Sequence, residues 1–175
     1  MEIISTILPG VKIIRPKIHS DERGFFLESY NFSRYSEFGV DVVFVQDNHS
    51  RSSRNVLRGL HYQKQYPQGK LVRVTLGRVL DVVADVNPMS LTYGKYISIE
   101  LDAIAHTQIY IPPGYAHGFL VLSDKAEFLY KCTDFYRPGD ESGVMWNDKF
   151  LNINWPIDRP LLSSKDSSYL PLKEF

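Results

Sequence analysis

The feature that most constrains the fold is a rhythm. Short apolar or alternating runs recur along the chain, and Gly, Pro, Asn or Asp interrupts them roughly every ten residues, the signature of a sandwich or barrel. Residues 11–16 are an apolar run ended by Pro16, and residues 24–31 carry Phe25, Phe26 and Tyr30, types that suit strands. Residues 42–46 are a further apolar run. From Lys70 to Leu76 the pattern alternates, with Val72, Val74 and Leu76 on one face and Arg73 and Thr75 on the other. Gly77 and Arg78 follow, then the apolar residues 79–86, and the pair reads as a hairpin with a tight turn. Residues 93–101, 107–111 and 119–122 read as strands, and residues 128–136 as a long one. The one good helix is short, about residues 32–38, with Asn31 or Ser33 as its cap. From Trp155 onward, three prolines predict an irregular tail. No repeat or linker interrupts the pattern, so it predicts one all-β domain over residues 1–175.

Composition narrows the function. A chain of 175 residues with 43% hydrophobic and 23% charged residues can bury a core and is too apolar to be disordered. Twenty Lys and Arg balance twenty Asp and Glu, so the basic excess of a nucleic-acid binder is absent. A few local cations can still hold a small anion. The single cysteine, Cys132, excludes an intrachain disulfide and a Cys-based zinc site. No apolar run approaches the roughly 20 residues that cross a bilayer, and Met1-Glu2-Ile3-Ile4 does not open a secretory signal. The expectation is a cytoplasmic protein with neither nucleic acid nor membrane as a partner.

Candidate chemistry lies among five histidines: His19, His49, His61, His106 and His117. His61 stands in Asn55-Val56-Leu57-Arg58-Gly59-Leu60-His61-Tyr62-Gln63, a strand-like segment holding a cation and a glycine. Glycine inside a strand marks a bulge or a close approach. His117 stands in Ile111-Pro112-Pro113-Gly114-Tyr115-Ala116-His117-Gly118-Phe119, a rigid turn leading into a strand. The glycines beside both histidines are compatible with a shared cavity; plain turn-making and space-filling is the simpler alternative. Lys70 shares the phase of Val72 and Val74. Pointing inward, it needs an anion or a ligand; at a strand end it can instead snorkel to water. Phe128, Tyr130, Cys132, Asp134 and Tyr136 share one phase, so the two tyrosines either serve a site or fill the core. A small β-barrel often binds metal through His-x-His and a following Glu. Here Gln63 stands two after His61, no Glu follows nearby, and two imidazoles are too few. No metal is expected, and phosphate-loop, nucleophile-elbow and dinucleotide fingerprints are absent.

Several segments, taken together and in order, resemble the dTDP-4-dehydrorhamnose 3,5-epimerase family. They are Asp21-Glu22-Arg23-Gly24-Phe25-Phe26-Leu27-Glu28, Gln46-Asp47-Asn48-His49-Ser50, residues 56–63, Gln68-Gly69-Lys70-Leu71-Val72-Arg73-Val74, residues 111–119 and Phe128-Leu129-Tyr130-Lys131. The resemblance runs from about residue 3 to residue 172. It implies a cupin-like double-stranded β-helix, or jelly roll, of antiparallel sheets with one or two short helices, assembled as a homodimer and using no cofactor. The implied substrate is a dTDP-4-keto-6-deoxyhexose. In this resemblance His61 matches the catalytic base, Asp166 the carboxylate that orients it, Tyr130 the proton donor and Lys70 the cation at the keto oxygen. Tyr136 matches the aromatic that stacks on thymine. Arg23, Glu28, Gln46, Asn48, Arg58, His117, Glu141 and Lys165 match substrate-binding positions, with Arg23 and Glu28 reaching the other subunit's site. The stretches Lys64-Gln65-Tyr66-Pro67 and Asn87-Pro88-Met89-Ser90-Leu91-Thr92 depart from the family pattern without touching that set. The competing readings are a single-centre 3- or 5-epimerase, a 3,4-ketoisomerase, which the intact His61, Lys70, Tyr130 and Asp166 set disfavours, and a non-catalytic sugar-nucleotide-binding cupin.

Overall fold

The computed structural model describes residues 1–173. Its strands are β1 (Glu2–Ser5), β2 (Lys12–Arg15), β3 (Ile18–Asp21), β4 (Gly24–Leu27), β5 (Gln46–Ser53), β6 (Leu57–Gln63), β7 (Lys70–Leu76), β8 (Arg78–Asp85), β9 (Tyr96–Asp102), β10 (Gln108–Ile111), β11 (Tyr115–Val121), β12 (Lys125–Cys132) and β13 (Glu141–Gly143). They form a six-stranded sheet in the order β1-β2-β10-β7-β12-β5 and a five-stranded sheet in the order β13-β6-β11-β8-β9, and β3 and β4 pair separately. All these pairings are antiparallel. Two such sheets facing each other across one core make the expected jelly roll.

The core between the sheets takes Val72 and Val74 from β7, Ile109 and Ile111 from β10, Val79 and Val83 from β8, and Phe119 and Phe128 from β11 and β12. The five-stranded sheet is covered on its other face as well. There Leu57, Leu60, Val82 and Leu120 pack against Val144, Leu151 and Trp155 of the C-terminal segment. Burial on both faces explains why residues 79–86 are nearly continuously apolar rather than alternating. The outer face of the six-stranded sheet is capped by α1 (Phe32–Glu37), whose Tyr35 packs with Ile14, Leu71 and Tyr110. The side chain of Asn31 caps this helix by accepting from the Arg34 N–H, as one of the two cap assignments requires. No helix among the described residues is long and apolar enough to cross a membrane.

Four expectations need correction. The hairpin at Gly77 is a crossing between sheets: β7 pairs with β10 and β12, whereas β8 pairs with β11 and β9. Gly77 turns this corner at φ 75°, where a Cβ would lie 2.0 Å from the Lys125 carbonyl oxygen. The strand expected at residues 42–46 starts only at Gln46 and runs through the polar residues to Ser53. The strand expected over residues 128–136 begins at Lys125 and ends at Cys132, so Asp134 and Tyr136 belong to the loop after it. The run 24–31 is a strand only to Leu27.

One irregularity positions the site. On β11, His117 pairs with His61 and Phe119 with Arg58, so two steps on β11 match three on β6. β6 therefore carries a bulge, at Gly59, which has φ 125°. A Cβ on Gly59 would stand 2.6 Å from the Gly118 Cα, and one on Gly118 would stand 2.7 Å from the Arg58 carbonyl oxygen. Only two facing glycines allow the strands to approach this closely. We expect Gly118→Ala to lower stability by about 1–3 kcal/mol through forced separation of β6 and β11. Denaturant midpoints check this, and an unchanged midpoint would mean that the strands have room to spare.

Candidate active site

The bulge reverses the normal alternation. In a regular strand residues 58 and 61 would face opposite sides. Here Arg58 and His61 both face a cavity of about 410 Å³, while Leu57 and Leu60 both enter the core on the opposite face. The cavity lies between the sheets. β5 contributes Gln46 and Asn48, β7 contributes Lys70, β11 contributes His117, and β12 contributes Phe128 and Tyr130. Tyr136 joins from the loop after β12, and Glu141 from β13.

His61 is the centre of the polar network. Its Nε2 lies 2.5 Å from Asp166 Oδ1 and 3.9 Å from Glu141 Oε1. Asp166 opens a short 3-10 turn in the irregular tail, Asp166–Ser168. It is delivered there by chain pairing of Leu161 with Val56 and by the Ser163 hydroxyl, which accepts its backbone N–H. Burial alone would raise the Asp166 carboxyl pKa, but the His61 contact overcomes it and holds the group below its ordinary value. An ionised Asp166 accepts the Nε2 proton, so the neutral ring presents Nδ1 as its free lone pair.

Glu141 is gripped from several sides. Lys165 Nζ lies 2.7 Å from its Oε1, and the Tyr136 hydroxyl donates to its Oε2 at 2.6 Å. Burial works to raise its pKa, but these contacts and His61 hold it low. Gln46 ties the same corner together by accepting the Tyr136 N–H and donating to Asn48. Arg58 donates from Nε to the Ser52 hydroxyl at 3.0 Å.

Lys70 points inward, as its phase with Val72 and Val74 suggested and as the snorkelling alternative did not. Its ammonium lies 6.0 Å from the centre of the Tyr130 ring and makes no ion pair among the described residues. Burial pushes its pKa down, opposed by Cys132, Glu141 and Asp81. Burial likewise pushes the Tyr130 phenol up to about 12, with Cys132 and Glu141 adding to the effect. Tyr130 is therefore a fully protonated donor at neutral pH.

The structure thus brings together Gln46, Asn48, Arg58, His61, Lys70, His117, Tyr130, Tyr136, Glu141, Lys165 and Asp166. Arg23 and Glu28 lie outside the cavity of their own chain: Arg23 pairs with Asp21 at 2.5 Å in the β3–β4 turn, and Glu28 pairs with Arg34 at 3.1 Å. His49 reaches Glu127 at 3.3 Å, and His106 packs on Phe25. Sequence reasoning missed Asp81, which is fully buried and holds His117 Nε2 at 2.9 Å. Its signal was an acid inside the apolar run 79–86. Among the described residues no three His, Cys, Asp or Glu side chains are grouped to hold a metal ion.

Similarities to known proteins bear on this site. The family model described as dTDP-4-dehydrorhamnose 3,5-epimerase matches residues 5–174. The protein of that name from Shigella flexneri is 52% identical over 168 residues, covering 95% of this chain and 93% of that protein. Its namesake from Escherichia coli K12 is 50% identical, covering 99% and 96%. The crystal structure of a dTDP-6-deoxy-D-glucose-3,5-epimerase from Legionella pneumophila, in complex with dTDP-4-keto-L-rhamnose, superposes with a TM-score of 0.95 at 48% identity, covering 98% of this chain and 92% of that one. The fold, the ordered motifs and these matches agree: the chain belongs to the dTDP-4-dehydrorhamnose 3,5-epimerase family.

Proposed function

We propose that this protein is an isomerase that inverts C3 and C5 of dTDP-4-dehydro-6-deoxy-D-glucose to give dTDP-4-dehydro-L-rhamnose. The observation that carries the reading is a single cavity in which an Asp-held imidazole faces a half-buried ammonium, without an ion-pair partner among the described residues, and a protonated phenol. The 4-keto group acidifies the C–H bonds at C3 and C5. His61 takes a proton through Nδ1, the C–H electron pair becomes the enolate double bond, and negative charge gathers on the 4-oxygen. Lys70 stabilises that charge, which exists only on the way to the enolate and so lowers the barrier rather than merely binding substrate. Asp166 stabilises the imidazolium formed at the same moment. Tyr130 then delivers a proton to the opposite face and inverts the carbon. Water reprotonates the phenolate and takes the proton from His61. No redox cofactor enters this balance.

The remaining groups suit a nucleoside diphosphate sugar. Arg58 is a forked cation matched to phosphate oxygens, and Tyr136 offers a ring for stacking on thymine. Gln46, Asn48, His117, Glu141 and Lys165 supply donors and acceptors around the substrate. Arg23 and Glu28, outside their own cavity, serve the cavity of the other chain in a homodimer. The free thiol of Cys132 fits a reducing, cytoplasmic setting.

Proton NMR of the substrate in heavy water tests the reading directly. Deuterium is expected at both C3 and C5. Uptake at C3 alone would make the protein a single-centre enzyme, as is named a Streptomyces niveus 3-epimerase 38% identical to it. No uptake would end the proposal. Asp166→Asn should lower turnover by about a hundred- to ten-thousand-fold, the usual weight of one proton-transfer group, with the fold intact by circular dichroism. Turnover near wild type would reduce Asp166 to a tail residue. Tyr130→Phe keeps the ring and removes only the acid. It should still wash deuterium into the substrate from the His61 face while forming little inverted product, with the greatest loss at C5. Inversion of both carbons at the wild-type rate would assign the acid to another group.

A further inference from the structure

The tail supplies one more aromatic group whose placement the proposed chemistry leaves unexplained. Tyr169 lies three residues beyond Asp166. Its ring stands edge-on to the His61 imidazole, with centroids 5.6 Å apart and planes at 67°. Gly143 pairs directly with His61 across the β13–β6 ladder. Cross-strand partners share a face, so a side chain at 143 would lie beside the imidazole. Gly143 has none, and the Tyr169 ring fills the space: a Cβ there would stand 2.4 Å from Tyr169 Cε2. The slot is held from outside by the Met145 N–H donating to the Leu170 carbonyl and by the Leu172 N–H donating to Asp148.

The tip of the ring bears on the same balance. Its hydroxyl lies 3.4 Å from Glu141 Oε1, the oxygen that also holds Lys165 and stands 3.9 Å from His61 Nε2. Burial, reinforced by the Glu141 and Asp166 charges, keeps this phenol protonated and hence a donor. Two carboxylates thus compete for one Nε2 proton, and Asp166 is the nearer by 2.5 Å against 3.9 Å. An imidazole free to rock about its side-chain bonds would sample both.

We propose that Tyr169 is a positioning residue for His61: its ring, seated over Gly143, walls the imidazole into the one orientation that gives Nε2 to Asp166 and leaves Nδ1 to the substrate. The inference rests on the epimerase reading for its consequence in rate, and on geometry alone for its consequence in ring orientation. Tyr169→Phe keeps the wall and loses only a long hydrogen bond. Tyr169→Leu fills the slot with apolar volume and removes the flat edge, so the tail stays docked. With dTDP-4-keto-6-deoxyglucose, Tyr169→Phe should stay within about threefold of wild type in kcat, and Tyr169→Leu should lose about ten- to a hundredfold with KM within about twofold, because misplacing a reacting group costs on that scale. Nitrogen-15 NMR of the histidines, recorded without substrate, should show one Nε2–H tautomer of His61 in wild type and Tyr169→Phe, and a mixture in Tyr169→Leu. A Tyr169→Leu protein with wild-type kcat and a single tautomer would overturn the proposal. An equal loss in Tyr169→Phe would transfer the role to the hydroxyl and overturn it too, and a rise in KM alone would make Tyr169 a substrate contact instead. If wild type itself leaves this substrate unchanged, the epimerase reading fails, while the substrate-free spectra still decide the role of Tyr169.

Discussion

One extra residue in β6 decides what faces the cavity. Gly59 and Gly118 lie against each other without side chains, and the strand bends around that contact. The bend places Arg58 and His61 on one side and Leu57 and Leu60 on the other. Without it, either the cation or the imidazole would lie among Val144, Leu151 and Trp155, where a charge has no partner. His117 depends on the same point. It pairs with His61 across the ladder, and Asp81 holds it from the β8 side.

Around this frame the site separates charge within a neutral chain. Glu141 and Asp166 gather on one side of His61, each bound by a donor that keeps it ionised. Lys70 stands apart from them, beside Tyr130, with no carboxylate in ion-pair contact among the described residues. Burial penalises the charged form of both groups and so moves their pKa values in opposite directions. It disfavours the charge on Lys70 and also disfavours ionisation of Tyr130, so the phenol keeps its proton while the ammonium gains most from an arriving negative oxygen.

Much of this was legible in the chain. The alternation from Lys70 to Leu76 gave the strand and the face that Lys70 shares with Val72 and Val74, because a period of two fixes which residues share a face; it left the choice between an inward ammonium and one snorkelling from the strand end to the structure. Asn31 marked the start of α1 through its side-chain oxygen. Other features were not legible, for identifiable reasons. β5 reads Gln46-Asp47-Asn48-His49-Ser50-Arg51-Ser52-Ser53, with no apolar face, because it is an edge strand with one face on the cavity. The Gly77 corner has the local pattern of a hairpin, and only distant partners reveal that β7 and β8 belong to different sheets. Tyr130 and Tyr136 do meet in the cavity, but through a loop rather than a shared strand phase. Tyr169 sits in a proline-containing tail whose local pattern carries no sign of what it touches.

Asp166 is 105 residues from the imidazole it holds, and Lys165 and Tyr169 arrive with it. The imidazole and its carboxylate therefore meet only through a contact that closes a loop of 105 residues, and a contact at such separation forms only after the loop entropy has been met by the strands between. Control of the His61 tautomer is thus a property of the finished fold and not of the strand that carries the ring.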